Sequence, residues 1–339
     1  MIRLCINIII SDFISLKEEC TVYKRSAFAK STLANMLSHV KNYFGFCIFF
    51  NRDTLPPSPN NLCLFATFLS RSFNSPQSIQ NNISSLKSLC TILELPVLQF
   101  ESIQLKLTLR GIKRSKQHVK KQASPITPSI LFNLHQVIDH ADPSQVTYWC
   151  AFLISFFAMA RKSNIMFTAS STAVNRPILR KDCKVTSGGL LLHFRWSKTN
   201  SDSSRVHKVP LVPILGSPFC PVLAFKRMKK LVPASRDSPA FVMPFKNNLT
   251  PMVYHKYQLF LRKKLSDIGL PSMDFSSHSF RRGGATWAFK CAVPGELIQQ
   301  HGDWASAAYL AYLDFSLEQK ALVSMKLAEA IKVCSLTHC

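Results

Sequence analysis

The sequence contains the ten-residue stretch SHSFRRGGAT at positions 277–286, and this stretch says most about the fold. If Ser277 caps a helix, His278 and Arg281 stand three residues apart on one face, both in the first helical turn. Amide N–H groups and the helix dipole favour an anion at that turn, which makes it a credible phosphate site. The glycine pair that follows lets another backbone approach the helix closely. Taken alone, the stretch also fits a buried capping histidine beside a surface arginine.

The chain is strongly basic because it is poor in carboxylates. It has 339 residues, of which 42 are Lys or Arg and 18 are Asp or Glu, and its formal net charge is +24. Charged residues make up 18% of the chain, below the roughly 25% of typical soluble proteins. Such a chain is attracted to polyanions, and nucleic acid is the first candidate. The hydrophobic share of 47% excludes a disordered basic tail, and the length allows two domains.

The cysteines and the apolar stretches exclude several classes of protein. Eleven cysteines are scattered from Cys5 to Cys339 without a C-x-x-C pair, unlike a secreted disulfide framework or a zinc ribbon. We expect a reducing intracellular compartment, with most cysteines packed as small apolar residues. The longest apolar stretch, Val146 to Ala160, is shorter than the roughly 20 residues that a bilayer requires, which favours a buried core helix.

The first half of the chain reads as helical. Residues 1–22 carry no interpretable pattern, and residues 23–112 follow the period of amphipathic helices, so we predict a small helical bundle. A basic run without acidic residues comes next, made up of Lys106, Arg110, Lys113, Arg114, Lys116, Lys120 and Lys121. It fits a solvated linker or a strap along a phosphate backbone, and the net charge favours the strap.

The second half combines helices with a short strand region. It opens with Thr127-Pro128, a typical helix start, and its apolar helix ends abruptly at Arg161. Between Lys184 and Val212 the period becomes that of strands, which predicts a small antiparallel meander with Lys198 near a hairpin tip. Further helices are expected at Pro251–Leu265 after a Thr250 cap, Ser277–Phe289, Pro294–Gln300, Ala307–Phe315 and Leu317–Ile331.

Several candidate site residues have an ordinary structural role when each is taken alone. Arg161 follows a buried helix, where an arginine ordinarily acts as a cation that complements the helix dipole. Lys198 at a hairpin tip fits a solvated lysine, and Tyr309 and Tyr312, three residues apart, fit packing residues. Their joint presence with positions 277–286 is what favours a common site.

Taken in chain order, these residues resemble the pattern of the tyrosine recombinases, the phage-integrase family of DNA breaking and rejoining enzymes. The family pattern is an arginine after a buried helix, a hairpin lysine, H-x-x-R, a glycine followed by His or Trp, and a tyrosine ten residues after that glycine. The matching residues here are Arg161, Lys198, His278, Arg281, Gly302 and Tyr312. The resemblance covers about residues 25–335.

The resemblance implies a fold, a domain order and a location. The fold would be mainly α, with a helical core-binding (SAM-like) domain at residues 23–112, a basic linker at 113–124 and a catalytic domain at 125–339. That catalytic domain would be mostly helical with a small antiparallel β-sheet, the DNA breaking-rejoining enzyme fold. The segments MARKSN (159–164) and GDW (302–304) look most like recombinases of eukaryotic mobile elements, the Crypton-like and DIRS-like branch. Membership of that branch would place the protein in the nucleus.

The resemblance also implies roles for single residues. Tyr312 would be the nucleophile and end bound to a DNA 3′-phosphate, and Arg161 and Arg281 would clamp the scissile phosphate. Lys198 would protonate the departing 5′-oxygen, and His278 would assist proton transfer. Residues expected to contact DNA are Lys113, Arg114, Lys116, Lys120, Lys121 and Arg282.

The chemistry implied by the resemblance requires neither a metal nor ATP nor another cofactor. The charge on a phosphodiester must be neutralised by fixed cations or by a metal, and the chain lacks the carboxylate clusters of a two-metal site while offering arginines. Double-stranded DNA would be the partner, bound by a tetrameric synapse. The last helix has an apolar face, which would either join the core or dock onto a neighbouring protomer; this face contains Leu317, Ala321, Leu322, Met325, Ala328 and Ile331.

The chain departs from the family pattern at two places. Asp303 follows the motif glycine where His or Trp is usual, so that Asp303, Trp304 and His301 all stay candidates for that role. Asn164 stands where many members carry a carboxylate. Tyr309 is a second candidate nucleophile, three residues short of the expected offset. These departures keep open a domesticated, non-catalytic DNA-binding protein on the same scaffold, and a topoisomerase-like enzyme is a third candidate.

Overall fold

A computed structural model describes residues 15–24, 26–118, 122–168, 177–196, 205–246 and 248–313, with 317, 321, 324–329 and 331. The chain divides into two compact units, residues 1–121 and 122–339. The predicted fold class is confirmed, since the described residues are mainly α with two small antiparallel sheets.

The first unit is a helical bundle. Its described helices include α1 (Lys30–Phe49), α2 (Pro59–Ser72), α3 (Pro76–Ile92) and α4 (Ile103–Lys116), with a 3-10 helix at Leu98–Glu101. Ser58 and Ser102 cap α2 and α4 by accepting hydrogen bonds from the amide groups of Asn61 and Leu105. Aromatic and aliphatic side chains form the core, among them Tyr43, Phe46, Leu62, Phe65, Ile79, Ile83 and Leu86.

The basic run does not start as a linker. Helix α4 continues through Lys116 and ends at Gln117, which adopts the left-handed conformation. The helix therefore extends into the first residues of the segment predicted as a linker, 113–124. Lys113, Arg114 and Lys116 lie in the last turn, where cations complement the helix dipole. Lys120 and Lys121 lie outside the described residues.

The second unit is built around one buried helix. Helix α5 (Pro128–Val137) starts as predicted, with Thr127 as its cap. Helix α6 (Pro143–Phe157) is buried at every position from Val146 to Phe156, which confirms a core helix. Helices α7 (Lys162–Ile165), α8 (Pro221–Leu231) and α9 (Tyr254–Asp267) follow, with 3-10 helices at Arg180–Asp182 and Ser272–Asp274.

Two antiparallel sheets belong to this unit. The predicted meander is present as β1 (Cys183–Thr186), β2 (Gly189–Phe194) and β3 (His207–Leu211), in the order β1-β2-β3. Lys198 lies between β2 and β3 in the sequence and outside the described residues. The second sheet, β4 (Val242–Phe245) and β5 (Asn248–Pro251), was not predicted, because both strands are short and contain a proline, Pro244 within β4 and Pro251 at the end of β5. Thr250 therefore lies in β5 and caps no helix.

The helix of the H-x-x-R stretch, α10 (Ser277–Lys290), begins after Ser276. The predicted cap, Ser277, is wrong by one residue: the Ser276 hydroxyl accepts from the amide of His278, and Ser277 itself is buried. Helix α11 (Gly295–His301) and a 3-10 helix (Ala307–Tyr312) follow, so that the predicted helix at 307–315 ends at Tyr312.

The glycine pair places α10 against two other backbones, as predicted. A Cβ on Gly283 would lie 1.9 Å from the carbonyl oxygen of Ile126, and one on Gly284 would lie 2.1 Å from that of Phe156. Both distances are too short for any side chain. The start of the second unit and the end of α6 therefore fix the position of α10.

Three further observations concern only the residues that the structure describes. No helix there is long and apolar enough to cross a membrane. No group of three His, Cys, Asp or Glu side chains could hold a metal ion. The cysteines described are unpaired, and five of them are buried: Cys47, Cys90, Cys150, Cys183 and Cys220.

Replacing Gly284 by Ala should lower the stability of the second unit by about 1–3 kcal/mol, because the new methyl group overpacks the end of α6. All four tryptophans belong to residues 122–339, so denaturation followed by tryptophan fluorescence reports on this unit. The matched control is Gly111→Ala in α4, where a Cβ meets open space. An unchanged transition in Gly284→Ala would contradict the packing.

Candidate active site

Arg281 is buried at the centre of the candidate site. It lies in the first turns of α10, and only 2% of its surface is exposed. Its Nη1 donates to the carbonyl oxygen of Met159, just beyond α6. Its guanidinium stacks on the indole of Trp304, 3.6 Å from the ring centroid. Its Nη2 is buried and has no hydrogen-bond partner among the described residues.

The surroundings of Arg281 lower its pKa. Burial, followed by the positive charge of Arg161, lowers the pKa of Arg281 to about 9, against smaller opposite effects of Tyr312 and Asp303. The side chain therefore stays charged at neutral pH while one of its nitrogens is unsatisfied. A buried cation with an unused donor attracts an anion strongly.

Trp304 is the platform under Arg281, and Gly302 makes room for it. A Cβ on Gly302 would lie 1.7 Å from the indole ring, so only glycine fits at this position. The ring centroid of Tyr312 lies 5.5 Å from that of Trp304, and the centroid of Tyr309 lies 6.3 Å away. The glycine of the motif is thus explained by the tryptophan two residues later.

Asp303 joins two arginines. It adopts a left-handed conformation (φ 57°) after α11, and its side chain is 5% exposed. One carboxylate oxygen accepts from Nη1 of Arg161 at 3.2 Å, and the other accepts from Nη2 of Arg205. The backbone oxygen of Asp303 accepts from Nη2 of Arg161 at 2.8 Å. Arg161, Arg281 and Asp303 line one small cavity.

Asn164 fixes the backbone around Arg161. Its Oδ1 accepts from the amide of Arg161 at 3.2 Å, and its Nδ2 donates to the carbonyl oxygen of Trp196 at 2.9 Å. A carboxylate could not make the second bond because it has no N–H group. This explains the amide at position 164 and ties Arg161 to the residues that follow β2, at a point two residues before Lys198.

The two tyrosines have different surroundings. Tyr312 is half-buried, and its carbonyl oxygen accepts from the hydroxyl of Thr286 at 2.5 Å. Its side chain partly opposes the lowering of the Arg281 pKa, which places it next to that guanidinium. The hydroxyl of Tyr309 packs against α11, since a Cβ on Gly295 would lie 2.7 Å from it. Tyr312 is therefore the tyrosine beside the cations.

The remaining predicted residues have other surroundings. His278 is exposed in the first turn of α10. His301 donates from Nε2 to the carbonyl oxygen of Phe157 at 2.8 Å, and its own carbonyl oxygen accepts from His207 at 3.0 Å, which anchors α11 to α6 and β3. Arg282 is half-buried and donates to the carbonyl oxygen of Ala123 at 3.1 Å.

The structure thus brings together five of the predicted residues: Arg161, Arg281, Asp303, Trp304 and Tyr312. His301 instead anchors α11 to the end of α6. Sequence reasoning missed Arg205, because its contact with Asp303 joins residues far apart in the chain. An acidic residue inside a cationic cluster was the available signal, since such a carboxylate requires partners.

Replacing Arg281 by Met should raise the stability of the free protein by about 1–2 kcal/mol, because it removes a buried charge and keeps an apolar contact with Trp304. The gain should shrink above about pH 9, where folded wild-type protein releases the proton of Arg281 before the unfolded chain does. Denaturation at pH 7 and pH 10 measures both effects.

The matched control is Arg195→Met, which should lower stability because buried Asp182 loses an ion-pair partner at 2.9 Å. A loss of stability in Arg281→Met of the same size as in the control would contradict the unsatisfied charge.

No protein-family model matches the sequence, and no curated protein matches it significantly. Solved structures do resemble it. The Tn1549 transposon integrase, in complex with a circular intermediate DNA, has a TM-score of 0.60 and 15% identity, with 91% of this chain and 97% of that chain covered. XerH site-specific recombinase, in a post-cleavage complex with palindromic difH substrate, has a TM-score of 0.57 and 12% identity, with 87% and 78% covered. Lambda integrase, a dimer bound to a COC′ core site, has a TM-score of 0.55 and 12% identity, with 88% and 76% covered. The chain therefore has the fold of the tyrosine recombinases.

Proposed function

We propose that this chain is a tyrosine recombinase, a site-specific recombinase or integrase that cuts and rejoins DNA through a 3′-phosphotyrosyl intermediate. The observation that carries the proposal is the buried guanidinium of Arg281, with an unused donor, beside Arg161 and Tyr312. Such an arrangement suits an anion of the size and charge of a phosphodiester.

Arg161 and Arg281 would neutralise the phosphate as it becomes pentacoordinate. Stacking on Trp304 fixes the guanidinium of Arg281, and the ion pair with Asp303 fixes that of Arg161. The two cations therefore need little rearrangement when negative charge develops on the phosphate. Removing one such preorganised donor typically slows an enzyme by about 10²–10³-fold. The reaction would then require no metal, cofactor or ATP.

Tyr312 would attack the scissile phosphorus. Its Oη–P bond forms while the P–O5′ bond breaks, the phenol proton leaves towards His278, and Lys198 gives a proton to the departing 5′-oxygen. A phenol is a weak nucleophile at neutral pH and needs nearby cations for this step. The reverse attack by a 5′-hydroxyl rejoins DNA, because the phosphotyrosyl bond stores the energy of the broken bond.

Double-stranded DNA is the proposed partner. The structural relatives include an integrase bound to transposon circular-intermediate DNA and a lambda integrase bound to a core site, which supports an origin in a mobile element. The basic end of α4 and its continuation would follow the phosphate backbone, with Arg282 contributing near α10. We further propose a Crypton-like or DIRS-like element and action in the nucleus.

Assembly on DNA is proposed from two features of the second unit. The described residues of the segment after Leu313 are helical and exposed, among them Leu317, Met325, Leu327 and Ile331. A groove of about 910 Å³ lies between the start of β3, α10 and α11, and its apolar wall contains Phe156, Trp287, Val293 and Leu297. The last helix of a neighbouring protomer in a tetramer would fill this groove.

The central experiment uses a nicked suicide substrate, which lets the cleaved end diffuse away and traps a covalent adduct. Wild-type protein should form the adduct, Tyr312→Phe should form none, and the matched control Tyr309→Phe should keep it. Denaturing gels measure the adduct. Loss in Tyr309→Phe with persistence in Tyr312→Phe would overturn the assignment.

One observation favours a second function, a non-catalytic DNA-binding protein on the same scaffold. Asp303 places a carboxylate among the cations of the site, where a bound phosphate would meet a like charge. Intact DNA binding without any adduct in wild-type protein would favour this function.

Met325→Glu combined with Leu327→Glu should reduce assembly on DNA, because charges on the exposed helix cannot enter an apolar groove. Sedimentation of the DNA complex should show a smaller species, while adduct formation on a single half-site stays within about threefold of wild type. The matched control, Glu329→Gln, changes an exposed charge on the same helix. A wild-type sedimentation profile in the double variant would contradict docking through this helix.

A further inference from the structure

Asp303 presents a problem for any site that binds phosphate. Its carboxylate lies in the cavity that Arg161 and Arg281 line, and an unpaired carboxylate there would repel a phosphodiester. Two like charges in contact repel strongly where protein shields them from water. The site therefore works only if the charge of Asp303 is compensated.

Two guanidinium groups provide this compensation. One carboxylate oxygen of Asp303 accepts from Arg161 and the other accepts from Arg205. Asp303 is 5% exposed, whereas the side chain of Arg205 is 53% exposed. The group of this pair that faces solvent, and any ligand, is therefore the guanidinium of Arg205.

The backbone holds Arg205 in place. Arg205 lies two residues before β3, whose first residue, His207, pairs with Phe194 of β2. The imidazole of His207 donates to the carbonyl oxygen of His301 at 3.0 Å, two residues before Asp303. Arg205, Asp303 and Trp304 all line the groove between the start of β3, α10 and α11. The turn after α11 and the start of β3 thus form one support for the Arg205–Asp303 pair.

We propose that Arg205 is a further phosphate-binding residue, and that Asp303 is the residue that positions both Arg205 and Arg161. This inference rests on the proposed function and deepens it, since the ligand is the scissile phosphodiester. Arg205 adds a third guanidinium to those of Arg161 and Arg281, and Asp303 converts an acidic position into support for two cations.

The test is the single-turnover rate of adduct formation on the nicked substrate. Arg205→Ala should slow it by about 100-fold, as for the loss of a preorganised donor, and Arg205→Lys should retain part of the rate because the charge remains. The matched control is Arg195→Ala. Arg195 is also exposed (60%) and also pairs with a buried carboxylate, that of Asp182 (4% exposed), so its rate should stay within about threefold of wild type.

A second readout separates charge from structure. The double variant Arg205→Ala, Asp303→Asn should recover about tenfold of the rate lost in Arg205→Ala, because the uncompensated carboxylate is gone. A substrate with a neutral methylphosphonate at the cleavage point should also reduce the defect of Arg205→Ala. A merely structural role would produce neither effect.

The outcomes distinguish this inference from the proposed function. Absence of an adduct in wild-type protein would overturn the proposed function. An adduct in wild type with an Arg205→Ala rate within threefold of it would overturn the role of Arg205 alone. If melting shows that Arg205→Ala is unfolded, Arg205→Gln replaces it, with the same expected loss and the same outcome that overturns the role.

Discussion

The candidate site depends on keeping the charged guanidinium of Arg281 out of water. Burial of this charge costs free energy, which a stacked indole and one carbonyl oxygen offset only in part. The surrounding packing keeps the guanidinium buried. Gly302 leaves room for the indole of Trp304, and the glycine pair lets α10 pack against the end of α6. The residues that surround Arg281 thus hold a cation ready for an anion that the protein itself does not supply.

A second constraint is the balance of charge around Asp303. A chain with few carboxylates places one of them, buried, among arginines. Its two oxygens and its backbone carbonyl fix Arg161 and pair with Arg205, so that the acid organises cations that would otherwise repel one another. Asn164 extends the same support to the β2 segment that leads towards Lys198. The site therefore joins parts of the second unit that lie far apart in the sequence.

Much of this could be predicted from the sequence where the signal is local. The buried helix α6, the helix start at Thr127-Pro128 and the strand meander follow from periodicity and turn residues. The close backbone contacts of α10 follow from its glycine pair. Local signals failed where two residues suit one role, as at Ser276 and Ser277, and where short strands contain proline, as in β4 and β5. The contact of Arg205 with Asp303 and the stacking of Trp304 on Arg281 could not be predicted, because they are set by the packing of distant segments. The roles of the site residues stay predictions.

The central claim is that Tyr312 becomes joined to DNA beside Arg161 and Arg281. Mass spectrometry of the trapped wild-type adduct, after digestion by nuclease and trypsin, tests it directly. Both tyrosines fall in the tryptic peptide Cys291–Lys320, and fragmentation between them locates the nucleotide. We predict that Tyr312 carries the mass of a nucleotide joined through its 3′-phosphate; the same mass on Tyr309, or on no tyrosine of this peptide, would contradict the claim.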